Sequence, residues 1–209
     1  MILWSDMLRD MPLIAILRGL KPDDAIAIGE ALYEGGIIAV EVPLNSPEPL
    51  TSIAALRKNF AGKMLVGAGT VLTPGDVGDV ESAGGQFIVS PNSDVGVIRT
   101  TKAKGLLSLP GFFTASEAFS AISAGADALK LFPADSVTPA YIKALKAVLP
   151  PTLPVLAVGG VNENNLAAFL AAGAAGFGLG SGLFKPGDGP EQVRTKARRY
   201  VEAFKAARS

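Results

Sequence analysis

The sequence predicts an α/β protein built as a single (β/α)8 TIM barrel, and three observations carry that prediction. Short β-prone runs recur eight times, at Leu13–Leu17, Ala39–Leu44, Met64–Gly67, Gln86–Ser90, Leu106–Leu109, Ala128–Phe132, Pro154–Val158 and Gly176–Leu179. Stretches with helical spacing separate them; Ala25, Ile28 and Leu32 fall at i, i+3 and i+7, one face of a helix. Glycines stand where those helices should end, at Gly35, Gly62, Gly84, Gly105, Gly125 and Gly173, at intervals of 27, 22, 21, 20 and 48 residues. The last interval is about twice the others, and the skipped helix end carries Pro150-Pro151. A strand–helix unit of about 24 residues, repeated eight times, closes into a barrel. A doubly wound open sheet is the runner-up. Its G-x-G-x-x-G fingerprint is completed neither by Gly67-Ala68-Gly69 nor by the alternation from Gly176 to Gly182.

The elements follow in order. Residues 1–10 read as a short N-terminal helix ahead of the first strand, so that residues 1–209 form one domain. Pro22, Pro47, Pro74 and Pro139 stand where helices open, because a first-turn residue has no intrahelical use for its N–H. At the C-terminus Val193, Ala197, Tyr200, Val201 and Phe204 make an apolar stripe, and Arg194, Lys196, Arg198 and Arg199 read as the solvated face of the same helix.

Composition narrows the chemistry. Of 209 residues 49% are apolar, enough for a large core, and 19 basic residues balance 19 acidic ones. That balance points away from nucleic acid and from anionic membrane surfaces, and Trp4 and the three tyrosines are too scattered for a base-stacking platform. No apolar run reaches the roughly 18 residues that cross a bilayer. Asp6, Arg9 and Asp10 interrupt the N-terminus, which does not read as a signal peptide. The chain has no cysteine, which removes disulfides and thiolate nucleophiles and fits a cytoplasmic protein, and no histidine, which removes Ser-His triads and the commonest metal ligand and general base. An enzyme of this composition must move protons with carboxylates, lysine, tyrosine or water.

Two charges stand where a barrel should not keep them. In Ala39-Val40-Glu41-Val42 the valines suit the helix-facing side, which turns Glu41 inward; in Leu129-Lys130-Leu131 the leucines do the same for Lys130. Buried unpaired charges are expensive, so the two are either a mutually satisfied ion pair, the product of a misregistered strand that leaves them solvated, or functional. Read functionally, a lysine among hydrocarbon has its pKa pushed down, keeps some neutral amine and can attack a carbonyl to form a Schiff base. A carboxylate across the barrel can then move the protons. Arg18 follows the first strand and could hold a carboxylate with its planar fork. Thr70 ends Gly67-Ala68-Gly69-Thr70, where small residues let a ligand approach the backbone. Gly159-Gly160 follows the seventh strand and Gly180-Ser181-Gly182 the eighth, the two loops between which barrels of this kind hold phosphate on backbone N–H groups.

Six segments in order resemble a known family: P-L-I-A-I-L-R-G (Pro12–Gly19), A-V-E-V-P-L-N-S-P (Ala39–Pro47), V-G-A-G-T-V-L (Val66–Leu72), A-L-K-L-F-P (Ala128–Pro133), A-V-G-G-V (Ala157–Val161) and G-L-G-S (Gly178–Ser181). From Pro12 to about Phe204 the chain is similar to the 2-keto-3-deoxy-6-phosphogluconate/6-phosphogalactonate aldolases, class I Schiff-base lyases with a (β/α)8 barrel. The resemblance implies that Lys130 is the Schiff-base lysine and Glu41 the general acid/base. It implies that Arg18, Thr70, Asn45, Pro91, Phe132 and Val158 bind the substrate, and that Gly159, Gly160, Gly180 and Ser181 cradle its phosphate. It further implies a phosphorylated keto-deoxy sugar acid as substrate, no organic cofactor, no metal and a homotrimer. Asn45 stands where the phosphogluconate enzymes carry arginine, and Val158 where they tend to carry threonine; both resemble the phosphogalactonate branch. The two substrates differ at C4 alone, so a hydroxyl exchanged for a methyl near that carbon is worth ~1–3 kcal/mol, a preference and not an exclusion. The phosphogluconate epimer therefore stays open as substrate, as do a non-covalent phosphate-binding barrel isomerase or synthase and a silent barrel that senses sugar acids. In Leu109-Pro110-Gly111-Phe112-Phe113 a bulkier pair than is usual in the family is expected to reshape the mouth of the site.

Overall fold

A computed structural model describes residues 3–209. The strands are β1 (Leu13–Ile16), β2 (Ala39–Pro43), β3 (Leu65–Gly69), β4 (Phe87–Val89), β5 (Leu107–Leu109), β6 (Gly111–Phe112), β7 (Leu129–Leu131), β8 (Val155–Val158) and β9 (Gly176–Leu179). The helices are α1 (Trp4–Asp10), α2 (Pro22–Glu34), α3 (Pro49–Asn59), α4 (Pro74–Ser82), α5 (Val95–Ala103), α6 (Ala115–Ala124), α7 (Pro139–Lys146), α8 (Leu166–Ala171) and α9 (Pro190–Arg208). All strands are parallel, in the order β5-β4-β3-β2-β1-β9-β8-β7-β6. β5 and β6 are two halves of one barrel strand broken at Pro110, whose missing N–H cannot join the ladder while its carbonyl still accepts from Lys130 N at 2.9 Å. Since β5 pairs with β4 and β6 with β7, the ring closes with the eight strands the sequence predicts. The open-sheet alternative is thereby excluded.

Local chemistry places most of the boundaries. Pro22, Pro74 and Pro139 open α2, α4 and α7 as expected. Pro47 does not: α3 opens at Pro49, and Glu48 before it takes a left-handed backbone at φ 40°. Gly62, Gly84, Gly105, Gly125 and Gly173 adopt positive φ, as the capping pattern requires, but at the end of α2 the left-handed residue is Gly36 (φ 92°) and not Gly35. Gly35 serves packing instead, because a Cβ there would collide with Ala197 where α2 meets α9. The expected N-terminal helix spans Trp4–Asp10, and residues 1–2 of that expectation lie outside the described residues. Among the described residues no helix is long and apolar enough to cross a membrane.

Strand parity divides the interior into two cores. Outward-facing residues such as Val40, Val42, Leu129 and Leu131 join the helices in the larger one. The smaller core is the barrel's own lumen at the N-terminal ends of the strands: Ile14, Ala39, Leu65, Phe87, Ala128 and Leu156 meet Met7 of α1, with Trp4 and Leu8 packed against them. α1 therefore stoppers the barrel from below, and Trp4 tilts over Phe87 at 6.4 Å between ring centroids. On α9 the predicted stripe is buried, while Arg194 pairs with Glu34 at 2.7 Å, Lys196 with Asp188 at 2.7 Å and Arg199 with Glu163 at 2.9 Å. Three of the four basic residues thus make ion pairs that tie α9 to its surroundings, and Arg198 is exposed as expected. Met7 is completely buried, so Met7→Ala should lower unfolding free energy by about 2–5 kcal/mol in a denaturant titration. A loss below about 1 kcal/mol would show that α1 is not a stopper.

Candidate active site

Above the stopper the inward positions change character. The next layer contains Ile16, Glu41, Gly67 and Lys130, with Ile16 in register with Glu41 and Glu41 with Gly67. Glu41 is 2% exposed and Lys130 8%, so neither is solvated. Among the described residues no ion pair joins them, although each feels the other's charge. Both ordinary explanations, a satisfied ion pair and a misregistered strand, fail on this geometry.

The electrostatics are correspondingly distorted. Burial pushes the Glu41 carboxyl up from its ordinary value, opposed by the positive charges of Lys130 and Arg18. Burial holds the Lys130 ammonium down; Glu41 works against this shift and Arg18 adds to it. The Lys130 amine lies 4.9 Å from the centroid of the Phe132 ring, so an aromatic face covers one side of it. Glu41 Oε2 is buried and accepts no hydrogen bond from the described residues. Gly69 makes room for that oxygen, because a Cβ there would collide with the carboxylate. A buried carboxyl with an unbonded oxygen, in the same lumen as a buried lysine whose ammonium is disfavoured, is an acid/base–nucleophile arrangement.

A cavity of about 690 Å³ opens at the C-terminal ends of the strands, where barrels place their sites. Of the expected residues, Arg18, Asn45, Phe132, Gly159, Gly160, Gly180 and Ser181 line it; Lys130, Glu41 and Thr70 do not, and the cavity adjoins them through Phe132, whose ring covers the Lys130 amine, and through Arg18, which reaches Thr70. At one side, Arg18 Nη1 donates to Asn45 Oδ1 and Nη2 reaches Thr70 Oγ1 at 3.5 Å. Gly19 N donates to Ser46 Oγ at 3.0 Å, which stitches the loops after β1 and β2 together. Thr70 has φ 56°, a costly backbone for a β-branched residue. Asn45 thus meets Arg18 and orients it. In the loop after β8, Gly159 and Gly160 both have positive φ, and a Cβ on Gly160 would collide with Asp135 in the turn after β7.

Two more of the expected residues lie off that lining, and the expected effect of the bulky pair is revised. Val158 faces inward on β8 but covers Gly178, where an added Cβ would lie 2.8 Å from its Cγ2, and it adjoins the cavity without lining it. Pro91 does not line the cavity; its carbonyl lies against Gly111 on the closing strand. Phe112 points outward into the helix layer, and Phe113 stacks on Tyr141 at 5.8 Å, so the bulky pair does not reshape the mouth. Residues that sequence reasoning passed over also line the cavity: Asn162, Phe184, Lys185, Pro186 and Tyr200. Asn162 and Lys185 could have been found from their places two residues past Gly160 and four past Ser181. Tyr200 could not, since its helical stripe marked it only as core.

Comparison with known proteins agrees with the fold. The family described as "KDPG and KHG aldolase" matches residues 5–189. The 2-dehydro-3-deoxy-6-phosphogalactonate aldolase of Escherichia coli (strain K12) is 49% identical over 197 residues, 94% of this chain and 96% of that one. A solved structure described as "Native KDPGal structure" superposes with a TM-score of 0.93 at 48% identity, covering 95% of this chain and 96% of that one. A porous protein cage designed by fusing symmetric oligomeric domains matches with a TM-score of 0.94 at 48% identity, over 95% of this chain and 74% of that one. The chain carries the inward lysine and glutamate on a closed parallel barrel, and it belongs to the KDPG and KHG aldolase family of carbon–carbon lyases.

Proposed function

We propose that this chain reversibly cleaves 2-dehydro-3-deoxy-6-phosphogalactonate to pyruvate and D-glyceraldehyde 3-phosphate through a Schiff base on Lys130. The observation that supports this reading is the separated pair: Lys130 buried with its ammonium disfavoured, and Glu41 buried with an unbonded oxygen. The neutral amine of Lys130 adds to the C2 carbonyl, and the carbinolamine loses water to give an iminium. Glu41, with its raised proton affinity, takes the C4 hydroxyl proton. C3–C4 then breaks, its electron pair passes into the iminium, and glyceraldehyde 3-phosphate leaves. The enamine is protonated at C3, and hydrolysis of the imine frees pyruvate and the amine.

The cavity lining offers two groups suited to anions. Arg18, oriented by Asn45 and supported by Thr70, suits the carboxylate. Gly159, Gly160, Gly180 and Ser181 suit the phosphate, with Lys185 adding positive charge nearby. The galacto epimer is favoured by the two residues that mark that branch, Asn45 and Val158, and by the similarity to the Escherichia coli enzyme. A homotrimer in the cytoplasm is the setting that accompanies this reading, and a relative's use as a symmetric oligomeric domain supports the first part.

Three outcomes test it. Incubation with pyruvate and borohydride should add the mass of a reduced pyruvyl adduct at Lys130, and Lys130→Ala should abolish the adduct. An unmodified Lys130 in an active protein would instead favour the non-covalent isomerase or synthase reading, and modification without turnover the sensor. The pH at which labelling reaches half its maximum should lie below the ordinary lysine value of 10.5, because burial favours the neutral amine. Glu41→Gln removes the charge that favours the ammonium, so this midpoint should fall further; Arg18→Met removes a neighbouring cation, so it should rise. Movement in the opposite directions would refute the assigned couplings. Finally, Val158→Thr should shift the ratio of kcat/KM for the two C4 epimers toward the gluconate form by ~1–3 kcal/mol.

A further inference from the structure

The loops after β8 and β9 hold a hydrogen-bond arrangement that covalent chemistry at Lys130 does not use. Gly159 and Gly160 have φ of 100° and 66°, two successive residues without side chains to hold the orientation of their peptide planes. The Gly160 carbonyl is nonetheless held by two amides, Asn165 Nδ2 at 2.9 Å and Asn162 Nδ2 at 3.2 Å. Asn165 Oδ1 in turn accepts from Asn162 N at 2.8 Å, and Asn162 Oδ1 from Asn164 N at 3.0 Å. The next carbonyl along the chain, that of Val161, faces the hydroxyl of buried Tyr200 at 3.4 Å. That hydroxyl also occupies the space a Cβ on Gly182 would need, so one phenol from α9 touches both loops.

A backbone cradle binds an anion only if its N–H groups face inward and its carbonyl oxygens, the negative ends of the peptide dipoles, face away. Two consecutive glycines can turn either way at little cost, and donors on successive carbonyls remove that freedom. We propose that Asn165, Asn162 and Tyr200 are positioning residues that hold the Gly160 and Val161 carbonyls away from the phosphoryl end of the substrate. They act on affinity for the phosphate and not on the chemistry at C2. The inference rests on the phosphate reading proposed above and extends it to residues that need not touch the ligand.

The test compares 2-dehydro-3-deoxy-6-phosphogalactonate with its dephosphorylated counterpart, for the unaltered protein and for Asn165→Ala. Loss of the shorter hydrogen bond should raise KM for the phosphorylated substrate about tenfold, with little change in kcat. KM for the dephosphorylated substrate and the rate of pyruvate/borohydride labelling should stay unchanged. A rise shared by both substrates would mark Asn165 as merely structural, and no rise at all would equally overturn the proposal. Should Asn165→Ala fold poorly, Asn162→Ala and Tyr200→Phe each remove one donor, leave Asn165 in place and carry the same comparison at smaller amplitude. If the unaltered protein shows no preference for the phosphorylated substrate, the phosphate reading itself fails and this inference with it. If that preference survives all three substitutions, only this inference fails.

Discussion

The separation of one cation and one anion inside a hydrocarbon-walled barrel is the constraint around which the rest of the structure is arranged. Brought into contact, Lys130 and Glu41 would neutralise each other and neither would be reactive. Held apart, each carries a desolvation penalty that shifts its proton affinity in the direction its chemistry needs: downward for the lysine, upward for the glutamate. Such a pair is unstable on its own and has to be held by a scaffold that cannot relax to join the two. A closed parallel barrel does this, because the strand register sets both Cα positions and neither strand can move without breaking ladders on both sides.

The barrel supports the pair from below and above by different means. Below, Met7 and Trp4 of α1 complete a dry lower lumen with Ile14, Phe87 and Leu156, which keeps water from reaching the charges through the N-terminal end. Above, glycines replace bulk. Gly69 leaves room for the Glu41 carboxylate, and Gly178 lets Val158 lie across it, so the upper lumen stays open enough for a ligand while the lower one is filled. The division between stability at the N-terminal face and function at the C-terminal face follows from which inward positions carry large side chains.

Around this centre the loops act as holders of polar groups. Asn45 holds Arg18, Ser46 holds Gly19, and Asn162 and Asn165 hold Gly160. In each case a short polar side chain immobilises a group that could face a ligand. Flexible, solvated donors would lose much of their binding energy to ordering, and pre-arranged ones do not.

Much of this was legible in the chain itself. Eight β-prone runs at a regular interval implied the barrel, and alternation within Ala39–Val42 and Leu129–Leu131 turned Glu41 and Lys130 inward, since strand parity is a local property that needs no tertiary information. The absence of histidine and cysteine confined the chemistry to such residues. Other matters were decided only by packing. That the lysine and glutamate share one interior close enough to feel each other's charge, yet form no ion pair, depends on strand order and register, contacts made far apart in sequence. Phe112 and Phe113 lay in a segment that looked like part of the site, yet the helix layer claimed their side chains, and Pro91 lies off the cavity lining with its carbonyl against Gly111. Tyr200 read as a core residue from its helical spacing, and its hydroxyl reaches the glycine loops only because α9 packs between α2 and α8 in the helix layer. Local alternation determines which way a side chain points; only the closed ring of strands determines what it meets there.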